Sequence, residues 1–410
     1  MPHVLGRMRR GSAQTISVLA AGVTCFALAA PSAAADGVRS RQWYLDAMQA
    51  EDMWKVSRGD GLTVAVVDSG VDTSVEELRG QVLQGADMSD AQNPAGAVSD
   101  RDGHGTQMAS LIAGTGAGGG VQGLAPGARI LPVKVPGGLA DVTDPLMANG
   151  IRYAADHGAR IINISMAGPA SKGHSQIEAA VSYALGKGSL VFAGSGNDGD
   201  GVNVPNYPAA APGAVSVGAI DSTSTVTKWS NSASHVSLAA PGQEIPGRCR
   251  ESAGFCATGG TSSATALASA SAALIWAKHP DWTNNQVLRV MLDTAGKPTT
   301  GKIPSPYIGY GIVRPRKVIL DGEGDPGPAD VNPLLANAAP TPSSEPKLSA
   351  QGTPRPTAQS SSDKGDVSTL WLSIGAGAAV VVAAAVTAIV LVRRRNRTTP
   401  HWSAGSGPVG

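Results

Sequence analysis

The sequence predicts an α/β domain built on a mostly parallel β-sheet with helices on both faces, plus one C-terminal transmembrane helix. Three observations carry this expectation. Short apolar runs rich in β-branched residues recur through the first half of the chain, each ended by a turn. Helical segments separate them, and apolar strands that alternate with helices make a parallel sheet covered on both sides. Near the end, 370–392 is an uncharged apolar stretch, and roughly 20 such residues suffice to span a bilayer.

Taken in order, the chain begins with Arg7, Arg9 and Arg10, an apolar run over 16–30 and three alanines at 33–35. That is the pattern of a signal peptide over 1–35, cleaved before Asp36. The folded domain is expected over 36–320. Its strands fall in 62–70, 128–135, 159–168, 188–197 and 213–220, and its helices in 104–114, 143–158 and 175–188. A further helical, alanine-rich run begins within 258-TGGTSSATALAS-269. Residues 321–368 are rich in Pro, Ser and Ala, which cannot build a core and read as an extended linker. The basic tail, 393–410, opens with Arg393–Arg395 and so belongs on the cytoplasmic side, with the main domain outside the cell. Export removes Cys25 with the signal and leaves Cys249 and Cys256, a pair expected to form a disulfide in an oxidising compartment.

Composition excludes little but is useful. A net charge of +1 with 15% charged residues gives no electrostatic case for nucleic acid or an acidic substrate. No cofactor is expected; structural calcium stays open but unsupported, because no dense carboxylate loop of the kind that chelates it is present.

In open parallel sheets function gathers at the carboxyl ends of the strands. Asp68, Ser165 and Asn197 lie at such ends. Asp68 follows a run of apolar residues, where a carboxylate is costly unless paired, although an Asx-turn would also place it there. His104 stands between two glycines at a helix start, where a cation is disfavoured, so it needs a carboxylate partner. Asp68 is the candidate. His157 reads as a helix C-terminal residue, and His174, His235 and His279 as surface residues. Ser262, at the head of the alanine-rich run, has two readings: an N-cap that satisfies an orphan amide, or a nucleophile where the helix dipole favours negative charge. Asn197 stands in an Asn-Asp-Gly turn and is open to a turn role as well.

The segments 64-VAVVDSGVD-72, 102-DGHGT-106 and 259-GGTSSA-264 together resemble the subtilisin-like serine proteases, whose motifs are Asp-Ser/Thr-Gly, His-Gly-Thr and Gly-Thr-Ser-x-Ala in that order. The likeness covers nearly all of the folded part. It implies a catalytic triad of Asp68, His104 and Ser262, with Asn197 as a side-chain donor to the oxyanion. It also implies that Ser165, Met166, Ala167, Gly168, Gly194, Ser195 and Gly196 line the primary specificity pocket and its approach. Asn206 falls where small subtilisins tend to have glycine, which predicts a shallower pocket that prefers small or polar residues. Two departures stand out: Gln107 where the family has histidine, and no proline after the serine. The short distance from Asp36 to the domain leaves no room for an inhibitory prodomain, and whether 36–40 lies in the cleft is open. Signal, catalytic domain, linker, single helix and basic tail resemble the mycosins, membrane-anchored subtilases associated with type VII secretion. That likeness implies protein or peptide substrates, processing of exported proteins, and secretion components as partners. The alternative is a structural component of a membrane secretion assembly with incidental proteolysis. An esterase of the α/β-hydrolase kind is disfavoured, because Gly-x-Ser-x-Gly is absent around Ser262.

Overall fold

The computed structural model describes residues 37–90, 94–135, 144–166, 168–169, 174–249 and 254–336. The strands are β1 (Thr63–Asp68), β2 (Ala86–Asp87), β3 (Arg129–Lys134), β4 (Ile161–Ile164), β5 (Gly168–Pro169), β6 (Leu190–Gly194), β7 (Asn206–Tyr207), β8 (Val215–Ile220), β9 (Val236–Pro241), β10 (Ile245–Arg248) and β11 (Phe255–Thr258). The helices are α1 (Val38–Arg41), α2 (Trp43–Ala47), α3 (Ala50–Trp54), α4 (His104–Ala113), α5 (Asp144–Asp156), α6 (Ser175–Gly186), α7 (Thr261–Lys278), α8 (Asn284–Thr294), α9 (Pro315–Ile319) and α10 (Pro333–Ala336).

Seven strands form one sheet in the order β2-β3-β1-β4-β6-β8-β9, every neighbouring pair parallel. The predicted mixed pattern of strands and helices therefore builds the predicted parallel sheet. Side chains alternate across it. Val64 and Val66 join the core that contains the buried faces of α4 and α7, whereas Ala65 and Val67 join the core under α5 and α6. Each layer thus covers a face that the other cannot reach.

α7 is buried almost all round, from Thr261 to Trp276, with only Ser262 partly exposed. Its many alanines let it lie close against β4, β6, β8 and β9 while keeping high helix propensity. Two short antiparallel pairs sit outside the main sheet: β5 with β7, and β10 with β11.

Four features were not expected from the sequence. β9 and the β10–β11 hairpin carry too few β-branched residues to stand out. α8 was also missed, although Thr283 and Gln286 form a capping box at its start. Residues 321–336, expected to belong to the linker, run along α8 instead. Gln286 and Arg289 donate to the carbonyls of Gly327, Pro328 and Val331, and Thr283 and Asn285 donate to that of Ala329. At the other end, Val38 is buried and Arg41 donates to the Phe255 carbonyl, so the segment after Asp36 packs beside the β10–β11 hairpin. The signal peptide, the linker beyond 336, the helix expected over 370–392 and the tail lie outside the described residues. Among the described residues no helix is long and apolar enough to cross a membrane.

Candidate active site

Asp68 ends β1 and His104 begins α4, and the two elements meet because Gly105 allows it. A Cβ at Gly105 would stand 2.1 Å from the Gly70 carbonyl oxygen and 3.0 Å from Asp68 Cβ. With that approach, His104 Nδ1 lies 2.7 Å from Asp68 Oδ1. The Asp68 side chain is buried and that of His104 is 23% exposed. Since Nδ1 donates to a carboxylate, Nε2 is the basic nitrogen of the neutral ring. The buried Oδ1 also accepts the Ser69 N–H at 2.8 Å, which offsets part of the cost of burying the charge.

Ser262 is the second residue of α7. The helix is capped by Gly260 without a side-chain bond, so Ser262 does not act as the N-cap. Its Oγ donates to the Ser165 carbonyl at 3.1 Å, and Ser165 Oγ donates back to the Ser262 carbonyl at 3.2 Å. Behind this pair, Asn163 Nδ2 donates to Ser165 Oγ at 3.0 Å, and Asn163 Oδ1 accepts from Ser269 Oγ at 3.1 Å. A buried polar column thus fixes the end of β4 against the start of α7.

Asn197 follows β6. Its Oδ1 accepts from the Thr261 N–H at 2.8 Å and from Thr261 Oγ1 at 2.9 Å. That fixes which way the amide faces and leaves Nδ2 on the cleft side. A Cβ built on Gly260 would stand 3.5 Å from Asn197 Nδ2 and 3.7 Å from Ser262 N. Both nitrogens therefore lie close to one small space beside the serine, where two N–H donors would suit an oxygen that gains negative charge.

The cleft has a volume of about 630 Å³. Asp68, His104, Ser262 and Asn197 all line it, with Ser165, Met166, Gly194, Gly196 and Asn206. Of the remaining expected pocket residues, Ser195 is buried and turns its hydroxyl to the Asn231 carbonyl, and Gly168 lies in β5 outside the lining. Ala167 lies outside the described residues. Gly196 has φ 118°, and a Cβ there would stand 2.1 Å from Asn206 Nδ2, so glycine is required. Asn206 itself is buried, and its Nδ2 donates to the Ser195 and Val204 carbonyls at 3.3 and 3.4 Å.

The other histidines divide. His157 follows the end of α5 as expected and bonds the Tyr153 carbonyl. His174 is not a surface residue: its ring stacks on Tyr207 at 4.3 Å and its Nδ1 is 2.9 Å from both Asp144 oxygens. Burial lowers the pKa of His235, and that of His279, which stacks on Trp282. Cys249 and Cys256 are joined by a disulfide with a Cα–Cα distance of 5.1 Å, across the β10–β11 hairpin. Among the described residues no group of three metal-ligating side chains is gathered.

Residues 59–311 match the profile of Peptidase S8, the subtilase family, and so span more than half of the chain. The chain belongs to the subtilase family. It is therefore a serine endopeptidase. This subtilase is 37% identical to thermitase of Thermoactinomyces vulgaris over 227 residues, 55% of the chain and 78% of thermitase. It is 35% identical to subtilisin E of Bacillus subtilis over 240 residues, 58% of the chain and 61% of that relative. The structure of the MycP3 protease from the type VII (ESX-3) secretion system superposes with a TM-score of 0.60 at 31% identity, covering 68% of this chain and 87% of that one. MycP1 from Mycobacterium smegmatis gives a TM-score of 0.60 at 27% identity, covering 70% and 86%. The likeness to mycosins expected from the sequence is met by these structures.

Sequence reasoning did not single out Thr261, which orients Asn197, or Asn163, at the centre of the polar column. Asn163 had a signal: it is a polar residue inside an otherwise apolar strand. Thr261 stands in the Gly-Thr-Ser-x-Ala motif, but its bond to Asn197, 64 residues away, leaves no local trace.

Proposed function

We propose that this subtilase is an exported, membrane-anchored endopeptidase that works through Asp68, His104 and Ser262, with Asn197 in the oxyanion hole. The observation that carries the reading is the 2.7 Å Asp68–His104 pair lining the same cleft as Ser262 and Asn197. Ser262 Oγ attacks the scissile carbonyl carbon and its proton passes to His104 Nε2. Asp68 keeps the imidazole in the required tautomer and stabilises its cation. The carbonyl oxygen gains charge and is met by Asn197 Nδ2 and the Ser262 N–H, at a helix start whose dipole favours an anion. His104 then protonates the leaving amine. A water molecule, deprotonated by His104, hydrolyses the acyl-enzyme and restores the serine.

The signal at 1–35 and the helix expected over 370–392 support an extracellular catalytic domain tethered to the cell membrane by one span, with the tail in the cytoplasm. The mycosin relatives include a protease from the ESX-3 secretion system and an essential component of the ESX-1 system. That likeness supports processing of one or a few exported proteins. Secretion components are the proposed partners, and no cofactor is proposed. Asn206 places an amide in the pocket wall and fills space beside Gly196. Small or polar side chains before the scissile bond should therefore be preferred. Cleavage of a randomised peptide library by the full-length protein tests this: enrichment of Ala, Ser, Thr or Asn is expected, and a preference for Phe or Leu would refute it. A folded protein that cleaves nothing would favour the structural role.

A further inference from the structure

α4 carries His104, yet its N-cap is Gly103, which has φ 82° and no side chain with which to cap. The first-turn amides still need acceptors. They find them outside the helix. The Gly105 N–H donates to Ser69 Oγ at 3.0 Å, and the Thr106 N–H donates to Asp100 Oδ2 at 2.9 Å. Asp100 accepts more than this. Its Oδ2 takes the Thr106 hydroxyl at 2.6 Å, and its Oδ1 takes the Gly103 N–H at 2.9 Å, the Asp102 N–H at 3.2 Å and the Ser69 hydroxyl at 2.9 Å.

The Ser69 link matters most. Ser69 follows Asp68 at the end of β1, and its N–H donates to Asp68 Oδ1, the atom that receives His104 Nδ1. Thr106 Oγ1 in turn accepts the Asp72 N–H at 2.9 Å, so the turn after β1 is tied to the same group. One carboxylate thus holds both ends of the Asp68–His104 bond: the helix start through Gly103 and Thr106, and the strand end through Ser69. An ionised carboxylate suits this place, because every polar neighbour named here donates to it and it lies at a helix start.

We propose that Asp100 is a positioning residue for catalysis, a shared acceptor that sets the distance and angle between Asp68 and His104. This rests on the reading of those two residues as members of the triad. Asp100 touches no substrate and transfers no proton. It prevents α4 from shifting relative to β1 as charge develops on His104, where a small misplacement is expensive.

The test uses the full-length protein in detergent and compares Asp100→Asn, Ser69→Ala and Ser262→Ala with the wild type. In Asp100→Asn an amide NH2 must face groups that are themselves donors, so both ties weaken. Ser69→Ala cuts the strand tie and the Gly105 N–H bond to Ser69 Oγ, while the carboxylate still serves Gly103 and Thr106 at the helix start, which guards against a variant that fails to fold. For the folded fraction, kcat is expected to fall on the order of ten- to a hundredfold in Asp100→Asn, and about tenfold in Ser69→Ala, with KM unchanged in both. The deshielded proton of the His104 Nδ1–H to Asp68 bond should shift or broaden in the proton spectrum of both variants. Wild-type kcat and an unchanged resonance in folded Asp100→Asn would overturn the proposal. So would a loss that tracks the unfolded fraction alone. If Ser262→Ala is inactive while Asp100→Asn matches the wild type, the triad stands and the role of Asp100 falls. If Ser262→Ala keeps wild-type activity, the triad reading itself falls, and this proposal with it.

Discussion

Asn197, the proposed oxyanion donor, shows how a single side chain is held in place. Its oxygen is occupied twice by Thr261, so its nitrogen faces the cleft in a fixed orientation. Asn197→Ala should lower kcat by about 10²–10³ with little change in KM, the cost of removing the corresponding side-chain donor from a subtilisin. Steady-state kinetics on a peptide ester check it, and an effect confined to KM would remove the oxyanion role. Asp68, His104, Ser262 and Asn197 were legible in the sequence because each stands at a strand end or a helix start beside glycines, in motifs of fixed order. Asp100, Thr261 and Asn163 were less so. They act through hydrogen bonds to groups that folding brings near, and one-dimensional spacing carries little trace of such bonds.

Among the elements, the β10–β11 hairpin leads directly into the turn before Ser262 and is tied down at several points. The disulfide joins its strands, and Gln107 of α4 donates to Thr258 Oγ1 at 2.6 Å. Gln107, where the family has histidine, therefore links the helix of His104 to the strand that precedes Ser262. The strongest tie is ionic. Arg248 holds the buried Glu77 through two bonds, at 2.9 and 2.6 Å, and that carboxylate raises the guanidinium pKa. Arg248→Ala leaves Glu77 buried without its cation and should destabilise the fold by about 3 kcal/mol. Urea unfolding at an unchanged slope measures it, and a loss below about 0.5 kcal/mol would mean that water reaches the carboxylate. The buried strands and amphipathic helices were readable from periodicity. β9, the hairpin and the segment over 321–336 were not, since their places are set by tertiary hydrogen bonds and not by an apolar pattern.

At the scale of the molecule, the parallel sheet does the gathering. Asp68, Ser165 and Asn197 belong to three different strand ends, and the all-parallel order brings those ends to one side. His104 and Ser262 then arrive at the starts of α4 and α7, which pack on one face of the sheet. This is why a fold class and three short motifs led to the site, while its supporting bonds came only with the structure.

The central claim is that Ser262 is an activated nucleophile in an assembled site. The most direct test treats the full-length protein with a fluorophosphonate serine-hydrolase probe, alongside Ser262→Ala and His104→Ala. The account predicts covalent labelling of the wild type at Ser262, none in Ser262→Ala and only a trace in His104→Ala. Absence of label on the folded wild-type protein, or equal labelling of Ser262→Ala, would contradict it.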